Sequence, residues 1–144
     1  MGFVANVGCS AIGIRFNKRR LVIVMTYEQM KNLLQITDDA AQKLELVMDF
    51  GAQLKSVPDD ALCSEIVGCS SFVEICRVGN NFYGRADSAL VRGIVAIIVA
   101  MVDGKTPDEI KKIDIEQQFM ELNLQLGAGR LNGVNSMIRF LKNL

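Results

Sequence analysis

Four cysteines, at positions 9, 63, 69 and 76, are the strongest nucleophiles in a chain that has no histidine. The missing histidine removes Ser-His-Asp and Cys-His hydrolases, His-containing zinc sites and ordinary histidine acid–base catalysis. Chemistry must come from thiols, carboxylates, Lys, Arg, Tyr or backbone groups. No two cysteines form a C-x-x-C pair and no secretory signal precedes them, so they are expected to be reduced, without a disulfide framework. Cys63, Cys69 and Cys76 are separated by gaps that match no zinc finger or ribbon, and a fourth metal ligand would have to be a carboxylate. Gly68-Cys69-Ser70-Ser71 falls where a loop meets a strand, a boundary at which a thiol is accessible. A thiolate there can take part in sulfur exchange, although spacing alone is met more simply by a half-buried structural cysteine.

Other features are weaker. Gly127-Ala128-Gly129 precedes a helix and lacks the dinucleotide or Walker pattern, so it reads as a connector. Asp87 reads most simply as a helix cap and Arg130 as a surface base. Spacing assigns neither a catalytic role.

The elements that must position these residues follow from periodicity and caps. Helices are expected at 26–36, from Thr37 or Asp38 to about Leu54, from Asp87 or Ser88 to about Asp103, near 110–113, at 115–122 and at 131–141. Residues 55–65, polar and containing Pro58, read as a loop. Strands are expected over 66–78 and 82–84 around the Gly79-Asn80-Asn81 turn. The fold class is α+β: one domain with a small antiparallel sheet of about three strands flanked by helices. The apolar stretch Ala89–Val102 contains Arg92 and is too short to span a bilayer, so it reads as a core helix.

Charge marks a boundary. Residues 1–24 carry four bases and no acid, which leaves 12 bases against 16 acids from Met25 onward, a net of −4. We read 1–24 as an extension, either a mis-assigned start or an organelle leader, and 25–144 as the domain. An acidic body without a basic stripe argues against nucleic acid as the partner.

Taken in order, the segments from Leu44 to Leu141 resemble the SufE family of sulfur acceptors. Asp49-Phe50-Gly51 through Pro58-Asp59-Asp60 is similar to the family's "LGxxLPxLPDE", and Ile66 to Val73 to its "VxGCQSQVW". Gly84 to Gly93 resembles "GDSDAxIVKG", Gly104 to Ile110 the following turn and helix start, and Arg130 to Val134 "SRxNGL". The chain departs from this pattern at Arg85, where the family has an acid, at Glu74, where it has tryptophan, and at Gln125 and Gly127-Ala128-Gly129.

The resemblance implies a fold shared with IscU-type scaffolds. It implies that Cys69 accepts persulfide sulfur from a pyridoxal-phosphate-dependent, SufS-like cysteine desulfurase, supported by Asp87 and Arg130. It further implies a cytoplasmic sulfur-transfer protein that activates the desulfurase rather than a stand-alone enzyme, with no cofactor or metal of its own. It would act as a monomer or homodimer, off the membrane, and pass sulfur to an iron–sulfur scaffold. An organelle location would follow if residues 1–24 are a transit peptide. Two alternatives stand beside it: a metal or cluster scaffold using Cys63, Cys69 and Cys76, and an adaptor that binds a desulfurase without carrying sulfur.

Overall fold

The computed structural model describes residues 12–17 and 20–144. Strands β1 (Ile12–Asn17) and β2 (Arg20–Met25) pair antiparallel as a hairpin of their own. The boundary expected before Met25 falls inside β2, of which Met25 is the last residue. There the side chain of Gln53 accepts from the Met25 amide at 2.9 Å and donates to its carbonyl at 3.0 Å. Cys9 lies outside the described residues.

Helix α1 (Tyr27–Gln35) starts where Thr26 and Gln29 satisfy each other's backbone N–H groups, a reciprocal cap that pairs two donors the helix itself leaves open. Asp39 caps α2 (Ala40–Phe50), which runs on as a 3-10 turn over Gly51–Gln53. Ser88 caps α3 (Ala89–Val102). Thr106 and Glu109 form a second reciprocal cap at α4 (Pro107–Lys111), with Pro107 in the first turn, where its missing N–H costs nothing. Asp114 caps α5 (Ile115–Met120). Helix α6 (Ala128–Lys142) begins at Gly127 without a side-chain cap.

The core gathers around α3. Its buried residues, from Val91 through Val102, point in all directions, so the helix is enclosed by α2, β5 and α5 rather than laid on a surface. Among the described residues no helix is long and apolar enough to cross a membrane. Gly93 sets the distance between α2 and α3, because a Cβ there would stand 1.8 Å from the Val47 carbonyl oxygen.

The sheet has the order β3-β4-β5, with β3 Leu62–Glu65, β4 Val73–Val78 and β5 Asn81–Ala86, all antiparallel. The expected α+β architecture is therefore present, with its strands shifted. The first strand starts at Val73 instead of Ile66, and residues 62–65 of the expected loop form edge strand β3. Every residue of β3 is exposed, so no apolar alternation marked it. The larger correction concerns the thiols. Cys63 and Cys76 are register partners and are joined by a disulfide. The Ile66 amide donates to the Val73 carbonyl, and stepping by two along the ladder places Cys63 and Cys76 at a non-hydrogen-bonded pair, where facing side chains lie closest.

Candidate functional site

Seven residues, 66–72, connect β3 to β4, and Cys69 lies among them. Gly68 holds φ at +99°, a value that side chains with a Cβ rarely adopt, and turns the chain back toward α6. The loop then lies along one face of that helix in reverse order. A Cβ on Gly68 would stand 2.6 Å from Ser136 Oγ; one on Gly133 would stand 3.1 Å from Cys69 Sγ; one on Gly129 would reach Ser70 Oγ at 4.0 Å. Positions 129, 133 and 136 follow one helical stripe, so small residues on α6 form a bed shaped for this loop. Ser136 is buried and accepts from the Arg139 guanidinium at 3.2 Å.

The Cys69 thiol points into a cavity of about 20 Å³ lined by Val73, Val91, Ile94, Met137, Gly133 and Arg130 among others. Its S–H lies 3.8 Å from the Gly133 carbonyl oxygen, a long contact to a weak donor's partner. Burial pushes the Cys69 pKa up, because the thiolate is the form that loses most on leaving water. At rest the site therefore holds a protonated, sheltered thiol with space for about one more small atom.

The three expected site residues are not equally close. Cys69 and Arg130 line one cavity, Arg130 from the first turn of α6. Asp87 does not line it. Asp87 is exposed and stands between Ala86, the register partner of Val73, and the cap Ser88. It thus lies at the end of the sheet from which the Cys69 loop emerges. Gly133 and Ser136 went unassigned in the sequence; the signal available was small residues at 129, 133 and 136, one face of the last helix.

Metal-competent groupings among the described residues reduce to Cys63, Glu74 and Cys76, whose ligand atoms lie within 4.8 Å of one another. The two sulfurs are bonded to each other and Cys69 is outside the group. A scaffold built from Cys63, Cys69 and Cys76 together is not assembled.

Residues 28–144 match the family described as SufE, an Fe-S metabolism associated domain. The chain belongs to the SufE family. It is 33% identical to an uncharacterized SufE-like protein of Rhizobium meliloti (strain 1021), over 79% of this chain and 94% of the relative. It is 31% identical to the sulfur acceptor protein CsdE of Escherichia coli (strain K12), over 78% of this chain and 83% of that protein. The fold is similar to the solution structure of a hypothetical protein from Thermus thermophilus, with a TM-score of 0.64, 12% identity, and coverage of 81% of this chain and 90% of that one.

Within the SufE frame, the two departures at Glu74 and Arg85 are one feature. They are register partners on β4 and β5, and Arg85 Nη1 donates to Glu74 Oε1 at 2.8 Å. A cation where the family pattern has an acid is matched by an anion where it has tryptophan, so an ion pair takes the place of an acid and an aromatic.

Proposed function

We propose that this SufE protein accepts sulfur on Cys69 from a cysteine desulfurase and delivers it to iron–sulfur cluster assembly. The observation that carries the reading is that Cys69 is the one free thiol among the described residues. It sits on a loop, in a cavity with space for about one added atom, in a chain similar to a sulfur acceptor protein.

The transfer is a thiol exchange at sulfur. The Cys69 thiolate attacks the outer sulfur of a desulfurase cysteine persulfide; the S–S bond breaks and the desulfurase cysteine leaves as thiolate. The product is a persulfide on Cys69. The apolar cavity that holds the resting thiol protonated would also shelter the added sulfur from oxidants. Reaction requires the reverse conditions, so the desulfurase must draw the loop off α6 and favour the thiolate. Gly68 is the natural pivot, and Arg130, the one cation that lines the cavity, is placed to offset the new charge. Asp87, at the sheet end beside the loop, is positioned to meet the partner rather than the sulfur. Removing the product from the desulfurase would speed its turnover, and a SufS-like enzyme with its own pyridoxal phosphate is the donor we infer. A sulfur mass increment on Cys69 after incubation with desulfurase and cysteine tests the reading; its absence from the folded protein with its cognate donor would overturn it.

A further inference from the structure

The Cys63–Cys76 disulfide takes no part in the transfer step proposed above, yet it encloses the acceptor. The covalent ring it closes runs along β3, through the loop and back along β4. Cys69 is in the middle of that ring, six residues from Cys63 and seven from Cys76. The two ends of the bond differ. Cys63 is exposed on edge strand β3, whereas Cys76 is fully buried on the central strand. Of the two residues, only Cys63 can be approached from solvent.

We propose that Cys63–Cys76 is a reducible pair, opened by a dithiol through attack at Cys63, and that its state sets how freely the Cys69 loop leaves α6. A thiolate of the dithiol attacks Cys63 Sγ, the Cys63–Cys76 bond breaks, and Cys76 leaves as a thiolate that takes a proton from water. The dithiol's second thiolate then attacks the dithiol sulfur of the mixed disulfide and releases Cys63. The dithiol departs oxidised by two electrons and the pair is reduced by two. Burial of Cys76 fixes the direction, since neither sulfur of the dithiol can reach it first. Once the ring is open, β3 is held to its neighbour by the ladder alone, and none of its four residues is buried. An edge strand of this kind is where local opening is least costly. The loop gains reach, and the resting thiol gains exposure. Control of Cys69 rests on the acceptor reading only for its use; alkylation needs no desulfurase, so the two readings can fail separately.

The test uses the full chain, with peptide mapping to read each cysteine separately. Protein denatured and alkylated at once should yield a linked Cys63–Cys76 peptide and a labelled Cys69. Dithiothreitol should release both partners, and Cys69 of the folded protein should then alkylate several-fold faster than before. Cys63→Ser should show the fast rate with or without dithiothreitol. A protein dithiol whose second cysteine is replaced by serine should be trapped on Cys63. Recovery of no linked peptide, a trapped adduct on Cys76, or equal Cys69 rates in the two states would each overturn the proposal.

Discussion

At the scale of single residues, the site depends on what α6 lacks. Gly133 leaves the space that Cys69 Sγ occupies, and a methyl group there would press on the sulfur from 3.1 Å. The loop, not the helix, is the part free to yield. Gly133→Ala should therefore displace the thiol toward water. Helix propensity favours the change by roughly 1 kcal/mol, so stability should hold while reactivity rises. The pH dependence gives the sign. Burial raises the Cys69 pKa, so at neutral pH less thiolate is present than on an unhindered cysteine, and the alkylation rate should climb to a midpoint above the ordinary thiol range. In Gly133→Ala that midpoint should fall back toward the ordinary value and the rate at neutral pH should increase. An unchanged pH profile in the variant would show that the cavity does not control the thiol.

At the scale of elements, what the sequence revealed and what it hid have the same physical origin. Helices declared themselves because their caps are local: Thr26 with Gln29, and Thr106 with Pro107 and Glu109, are complete within four residues. The hairpin turn at Gly79 was equally local, with φ at +60°. Strand β3 was hidden because an edge strand exposed along its length shows no alternation, and it exists only through pairing with β4. The disulfide was hidden for the same reason, since Cys63 and Cys76 become partners only once that register is set. Composition argued for reduced thiols and could not see the register. Packing between elements makes its own prediction. Gly93 lets α3 approach α2 until a Cβ would overlap the Val47 carbonyl, and backbone cannot step aside as a side chain can. Gly93→Ala should cost at least about 2 kcal/mol, read as a lower urea midpoint with an unchanged slope; a midpoint equal to wild type would contradict the close packing of these helices.

At the scale of the whole molecule, two sheets divide the work. β1 and β2 pair with each other and not with β3-β4-β5, and the SufE match begins at Tyr27's neighbour, residue 28. Protein beginning at Met25 keeps the residue that Gln53 clasps and should unfold in one cooperative transition; a broad or absent transition would make the hairpin part of the domain. The remaining body is a frame around one free thiol: α3 fills the centre, the sheet presents the loop, and α6 receives it. That arrangement suits a carrier, which must hold a reactive sulfur and release it only to a partner. The most direct test of this account is anaerobic mass spectrometry of wild type and Cys69→Ser, each mixed with desulfurase and cysteine, followed by peptide mapping. Serine offers no polarizable nucleophile near neutral pH, yet the substitution at a half-buried loop position should leave the fold and desulfurase docking in place. The account predicts one added sulfur on wild type, mapped to Cys69, and none on Cys69→Ser; an increment that persists on the variant, or one that maps to Cys63 or Cys76, would contradict it.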